Sequence, residues 1–189
     1  IDMALEVLLS KGITKEQITL LHCTTEYPAP FKNLNLRAMK TIKATFDVDV
    51  GYSDHSLGKE ASIAAVALGA KVIEKHFTLD RNLSGPDHKA SLEPKEFRDL
   101  IKSIRNIEIA LGSSEKKPSK SELKNIPVAR KSLYARCDIR KGEQFTKHNL
   151  ISKRPALGIS PMKMKQIINL KAERDFKKDD LIQVKDLSK

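Results

Sequence analysis

Gly51-Tyr52-Ser53-Asp54-His55-Ser56 and, further on, Glu74-Lys75-His76-Phe77 are the two stretches on which the fold turns. Each follows a short apolar run that reads as a buried strand: Val48 to Val50 before the first, Val72 and Ile73 before the second. Between them Gly58 to Ala70 is mostly Ala, Ile, Val and Leu, a helix-like pattern. Strand, loop, helix, strand predicts a βαβ unit with parallel strands. His55 and His76 then end neighbouring strands at their carboxyl edge, where parallel α/β folds assemble chemistry. Two imidazoles there, with Asp54 and Glu74 close by, make a candidate divalent-metal site. The plainer alternative is a pair of strand-end histidines bonded to backbone carbonyls, since no HxxxH or HxH motif accompanies them.

Working outward, the chain keeps the same alternation. Residues 1–10 read as the end of a helix, stopped at Lys11-Gly12. Ile18 to His22 reads as a strand, and His22-Cys23-Thr24-Thr25-Glu26-Tyr27-Pro28-Ala29-Pro30 as a loop in which two prolines prevent regular structure. Leu34 to Phe46 returns to helical spacing through Leu36, Met39 and Ile42. After the strand Val72–Phe77 comes a polar loop, residues 78–91, carrying Asp80, Arg81 and Gly85-Pro86-Asp87-His88-Lys89. Pro94 opens the next helix, where a missing N–H is harmless. Phe97, Leu100, Ile101, Ile104, Ile107 and Leu111 give that helix one apolar face, and Gly112 ends it. Each strand–helix pair takes about 30 residues, the unit of a (β/α)8 barrel of ~250 residues. Three such strands are expected here, the last part of a TIM barrel.

The second part has a different texture. Residues 113–128 read as a linker, with Ser119 and Glu122 at capping-box spacing for one short helical turn. From Ala129 short apolar pairs alternate with charged turns. Residues 135–141 (Ala135 to Lys141) align with residues 172–178 (Ala172 to Lys178) at an offset of 37. Each copy runs on to an Asx-Leu pair, Asn149-Leu150 and Asp186-Leu187. A small pseudo-symmetric β module over 129–189 is expected. Between the copies Lys153-Arg154-Pro155-Ala156-Leu157-Gly158-Ile159-Ser160-Pro161 is a stiff basic loop, either a binding element or a connector.

Charge follows the same division. Residues 1–112 hold 15 Lys+Arg and 15 Asp+Glu, whereas residues 113–189 hold 20 and 9 and so carry the whole net charge of +11. A basic second part faces an anionic partner or is a solvated lysine-rich surface. Tyr134, Phe145 and Phe176 are its only aromatics, a poor platform for stacking nucleic-acid bases, so no nucleic-acid partner is expected. No apolar run reaches the ~18 residues of a membrane span, and no membrane partner is expected. Two cysteines in different parts, Cys23 and Cys137, argue against a disulfide framework and for a cytoplasmic setting. The chain opens at Ile1 inside an amphipathic pattern, as a fragment starting within a helix would.

Taken together, the loop HCTTEYPAP, the pair GYSDHS and EKHFT, the loop GPDHKAS and the segment KRPALGISP resemble the sialic acid synthase family, that is, N-acetylneuraminate and legionaminate synthases. The resemblance implies an α/β fold. Residues 1–112 would be the C-terminal part of a (β/α)8 TIM barrel, followed by a linker at 113–128. Residues 129–189 would be a small β-rich antifreeze-like (β-clip, SAF) domain. It further implies a transferase that condenses phosphoenolpyruvate with an N-acyl amino sugar, N-acetylmannosamine or a related 2,4-diacetamido sugar, with C–O cleavage and release of phosphate. Another metal-assisted TIM-barrel enzyme, a phosphoenolpyruvate-dependent aldol-type synthase or a hydrolase, is the alternative.

On the same resemblance His55 and His76 would hold the metal, Mn2+ in the first place and Mg2+ or Co2+ otherwise. Ser53 would contact the phosphate of phosphoenolpyruvate, and Asp87 the sugar hydroxyls. Tyr27 would line the N-acyl side of the sugar pocket. Thr25 stands where the family often has Asn near the phosphate. Asp87 and Glu74 would be the catalytic carboxylates, with Glu74 as a structural strand-end group in the alternative. Arg154 would reach the site of the other subunit in a domain-swapped homodimer. By strand alternation Lys75 points away from the site. Cys23 reads as a small buried residue.

Overall fold

The computed structural model describes residues 1–188. The chain divides into two units, 1–114 and 115–189.

The first unit runs α1 (Asp2–Ser10), β1 (Thr19–Cys23), α2 (Ala38–Phe46), β2 (Asp49–Asp54), α3 (Glu60–Ala67), β3 (Ile73–Lys75) and α4 (Pro94–Leu111). The strands form one parallel sheet in the order β1-β2-β3. A parallel strand cannot be reached by a tight turn, so each connection carries a helix. This is the repeating unit of a (β/α)8 barrel.

β2 lies in the middle and extends further than the apolar run suggests. Strand pairing continues through Gly51, Tyr52, Ser53 and Asp54 rather than stopping at Val50. Gly51 is needed where β2 passes β3: a Cβ there would sit 2.7 Å from the Val72 carbonyl oxygen and 3.1 Å from Leu21 Cγ. Alternation along β2 sorts the side chains. Val50 and Tyr52 turn to one face and pack with Met39 of α2 and with Ala61 and Ala65 of α3; Tyr52 and Met39 are fully buried. Ser53 and His55 therefore turn to the other face.

Helix α4 starts at Pro94 behind a capping box of Glu93 and Glu96, in which Glu96 accepts from the Glu93 N–H at 3.0 Å. Leu100 is buried and Phe97, Ile104 and Ile107 are half-buried, as the spacing predicts. Ile101 and Leu111, assigned to the same face, are exposed instead. An 18-residue helix covers only part of its apolar stripe within these three repeats.

The second unit begins with a longer helix than the expected single turn. α5 (Lys120–Ala129) has ten residues, and Ser119 Oγ caps it by accepting from the Glu122 N–H at 3.3 Å. Then come β4 (Ser132–Ala135), β5 (Leu150–Lys153), α6 (Met164–Ile167), β6 (Lys171–Ala172) and β7 (Leu187–Ser188). β4 pairs with β5, and β6 with β7, both antiparallel.

The 37-residue repeat is a real two-fold relation in the hydrogen bonds. Ile139 and Phe176, equivalent positions of the two copies, bond to each other reciprocally, N to O at 2.9 and 2.8 Å. Ala135 N donates to Asp180 O and, equivalently, Ala172 N to Glu143 O, both at 2.9 Å. Lys141 N donates to the Asp175 carboxylate as Lys178 N does to that of Asp138. Gly142 and its counterpart Asp179 both have positive φ, 83° and 74°. The buried core draws on both copies, with the Phe145 and Phe176 rings edge-to-face at 5.7 Å.

Candidate active site

The register of β2 against β3 pairs Ser53 with Glu74 and Asp54 with Lys75. Because side chains alternate, the two pairs lie on opposite faces. On one face Ser53 Oγ donates to Glu74 Oε1 at 2.7 Å. His55 and His76 follow one step further along the same face. Their ring centroids are 5.2 Å apart, edge to face. His55 Nδ1 lies 3.1 Å from the Thr24 carbonyl; a proton held there leaves Nε2 as an open lone pair. His55 is thus bonded to a backbone carbonyl, as the plainer alternative has it, and its second ring nitrogen is left without that bond.

Asp54 is a correction. It does not accompany the histidines. It is buried on the far face, 3.1 Å from Lys75 Nζ, and Lys75 also donates to the Ser56 carbonyl. Asp54 Oδ1 accepts from Ser56 N at 2.9 Å and Ser56 Oγ at 2.6 Å, and Oδ2 from Ser62 Oγ at 2.6 Å. The strand continues through Asp54, so its side chain takes the helix-facing side. Burial holds the Lys75 ammonium below its ordinary value, and the Asp54 carboxylate offsets only part of this.

Two loops close around the histidines. The loop after β1 lays Tyr27 across both rings, 4.2 Å from His76 and 5.3 Å from His55 between centroids. The Tyr27 hydroxyl reaches the loop after β3, at 3.3 Å from the Asp87 carbonyl and 3.2 Å from Ser91 Oγ. Burial pushes the Tyr27 phenol up, the Ser91 hydroxyl opposes this, and the Asp87 carboxylate adds to it. Asp87 Oδ2 lies 3.7 Å from His76 Nδ1, too far for a hydrogen bond but close enough to attract a charged ring. The Asp87 loop is held from below: Thr78 Oγ1 meets His88 Nδ1 at 2.8 Å, and Arg81 Nε donates to the Ser91 carbonyl at 3.0 Å and pairs with Glu96. Thr25 is exposed in the loop after β1; it is the neighbouring Thr24 carbonyl that meets His55.

Cys23 is a second correction. It is exposed rather than buried, with Sγ 3.8 Å from each ring nitrogen of His55. Cys23 pairs with Ser53 across β1 and β2, and this register puts it on the face of Ser53 and His55. Among the described residues no three or more His, Cys, Asp or Glu side chains are grouped to hold a metal ion. The two imidazoles are the nitrogen donors that the geometry offers on this face.

Arg154 belongs to the second unit. Its Nε donates to the Ala129 carbonyl at 2.8 Å, Ala156 N to the Pro127 carbonyl at 2.6 Å, and the Tyr134 hydroxyl to the Pro155 carbonyl at 3.1 Å. The last turn of α5, whose carbonyls lack helical partners, thereby holds the basic loop.

A parallel β/α sheet with paired histidines at its carboxyl edge, followed by a pseudo-symmetric β module, defines the C-terminal part of a TIM barrel joined to an antifreeze-like domain. The NeuB family model matches residues 1–116 and the SAF domain model residues 130–188. The chain belongs to the NeuB family. It is 58% identical over 182 residues to N,N'-diacetyllegionaminic acid synthase of Campylobacter jejuni, covering 96% of this chain and 54% of that protein. It is 43% identical over 127 residues to human N-acetylneuraminate-9-phosphate synthase, covering 67% of this chain and 35% of that one. Among solved structures it resembles the N-acetylneuraminic acid synthetase of Leptospira borgpetersenii in complex with citrate, with a TM-score of 0.58 and 40% identity. That match covers 67% of this chain and 43% of the other. It also resembles the spore coat polysaccharide biosynthesis protein spsE of Bacillus subtilis, with a TM-score of 0.55 and 33% identity, covering 98% and 57%. The chain spans about half the length of the first of these relatives. No helix among the described residues is long and apolar enough to cross a membrane.

Proposed function

We propose that the protein carrying this chain is a nonulosonic acid synthase that condenses phosphoenolpyruvate with an N-acyl amino sugar and releases phosphate. The observation that carries this reading is the pair His55 and His76, on one face of adjacent strand ends with rings 5.2 Å apart, in a chain of the NeuB family. A doubly N-acetylated sugar is favoured, because the 58% identical relative is named for a diacetylated product.

The residues present suit a divalent metal. His55 and His76 would hold it, as Mn2+ in the first place, with oxygens of substrate or water completing the shell. Bound there, it would supply Lewis acidity to the sugar carbonyl. Both imidazoles must be neutral to bind, so acid competes with the metal. The chain's own groups do the rest. Tyr27 walls one side of the histidine pair and ties the Asp87 loop to it. Asp87, half exposed at the mouth, would accept from sugar hydroxyls. Ser53 has one hydroxyl proton, which it gives to Glu74 here. Contact with the phosphate of phosphoenolpyruvate would require that proton to turn away from Glu74, leaving Glu74 free to accept from a hydroxyl or water. Thr25, in the loop that carries Tyr27, would offer its hydroxyl as a donor to the phosphate. Arg154 would enter the site of the second subunit of a homodimer; its planar guanidinium suits an amide oxygen or carboxylate better than Lys would.

The test is phosphate release by the full-length protein supplied with phosphoenolpyruvate, the diacetamido sugar and Mn2+, with the product identified by mass. With 18O in the bridging position, C–O cleavage sends the label out in phosphate. No sugar-dependent phosphate release with the diacetamido sugar or with N-acetylmannosamine overturns the reading. A mixed dimer of Arg154→Ala chains with His55→Ala chains tests the subunit exchange. One of its two sites has neither defect, so about half of the wild-type activity is expected; none returns if Arg154 serves its own chain.

A further inference from the structure

We infer that the buried Asp54–Lys75 pair is a positioning device for the two histidines, acting from the face opposite the site. Asp54 directly precedes His55 and Lys75 directly precedes His76, and the two are register partners. Their 3.1 Å contact therefore ties together the backbone positions from which the imidazoles project. Both side chains are almost wholly buried, at 0% and 2% exposure, where an ion pair is little screened. The rest of the network leaves them little freedom: Asp54 accepts three hydrogen bonds, and Lys75 donates to the Ser56 carbonyl. Other contacts hold each histidine separately. Ala29 N donates to the His55 carbonyl at 2.8 Å, and Leu92 N to the His76 carbonyl at 2.9 Å, so each is fastened to its own loop. β3 has only three residues. The side-chain ties between the ends of β2 and β3 are Ser53–Glu74 in the site and Asp54–Lys75 behind it. The first must loosen if Ser53 is to meet substrate; the second stays in place and keeps the rings at their spacing.

This inference rests on the metal reading of His55 and His76, and the test separates the two. Asp54→Asn with Lys75→Met, made together in the full-length protein, removes both charges and keeps the volumes. Thermal melting checks the fold. Mn2+ binding is read from the free-ion resonance signal. In the metal-free protein, the ring proton shifts of His55 and His76, displaced by the Tyr27 ring, report their placement. Groups that orient metal ligands typically govern ~10–100-fold in affinity, and action through the backbone puts the expected loss at about tenfold. The expected result is a near-normal melt, about tenfold weaker Mn2+ binding, and histidine ring shifts that move toward free-imidazole positions. Unchanged ring shifts in a folded double variant overturn the inference, whatever the metal does. Mn2+ binding that survives both His55→Ala and His76→Ala overturns the metal reading instead, and the ring shifts still judge the positioning. Should the double variant fail to fold, Ser62→Ala decides. It removes one hydrogen bond from Asp54 Oδ2, the oxygen that also faces Lys75, and a smaller ring shift in the same direction is expected; no shift overturns the inference.

Discussion

Lys75→Met alone should be far more damaging than the double change. The single substitution leaves the Asp54 carboxylate fully buried without its cation. Removing one partner of a buried ion pair costs ~3–5 kcal/mol, because the remaining charge is uncompensated. Here Asp54 keeps three hydrogen bonds, two of them at 2.6 Å, and such bonds to a charged group are worth ~1.5–3 kcal/mol each. That places the loss at the lower end, about 3 kcal/mol. Methionine fills the space of the lysine stem, so little cavity penalty is added. With a urea slope of ~2 kcal/mol/M, the unfolding midpoint of the full-length protein should fall by about 1.5 M. Adding Asp54→Asn should restore most of that, since an amide can keep the serine contacts without a buried charge. Urea melts of wild type and of the single and double variants make the comparison. A single variant within about 1 kcal/mol of wild type, or a double variant no better than the single, would refute the view that an unpaired buried charge is what the lysine prevents.

Three further outcomes follow from the same geometry. Gly51→Ala should destabilise by ~1–3 kcal/mol, as overpacking does, because the new methyl would sit 2.7 Å from the Val72 carbonyl oxygen, a backbone atom; a urea melt within error of wild type contradicts the close approach. Tyr27→Phe keeps the ring on the histidines but removes the hydroxyl's contacts with the Asp87 carbonyl and Ser91, so faster amide exchange in residues 85–91 and a raised KM for the sugar are expected, with Mn2+ binding unchanged. The Glu122 carboxyl is held below its ordinary value by the Ser119 N–H and then the Ser119 hydroxyl. A lowered folded value means that its stabilisation is complete above the usual carboxylate range and is lost as pH falls through the folded value; amide protection at the start of α5 should decline there, and Glu122→Gln should remove that dependence.

Much of this molecule is legible from local pattern. Val48–Val50 and Val72–Ile73 mark strands because a sheet covered by helices demands continuous apolar runs. Pro94 and the Ser119–Glu122 spacing mark helix starts because the first turn has amides without helical partners: proline brings none, and Ser119 accepts from one. The 37-residue repeat is visible because the same turn chemistry has to be solved twice. What each strand residue faces is another matter. Strand alternation has a period of two, and its phase is set by partners: Asp54 pairs with Lys75, 21 positions away, and Cys23 with Ser53, 30 away. The same apolar run ending at Val50 or continuing to Asp54 makes opposite predictions for the face of every later side chain only if the strand is taken to stop; pairing carries it on. So the sequence alone determined the kind of fold, the strand-end place of His55 and His76 and the two-fold plan of the second unit. Only the tertiary structure decided that Asp54 serves the core and Cys23 the site, that Tyr27 spans both histidines, and that Ile139 meets Phe176 at the centre of the repeat. Those are contacts between residues distant in the chain, and their energies appear only once the backbone has brought them together.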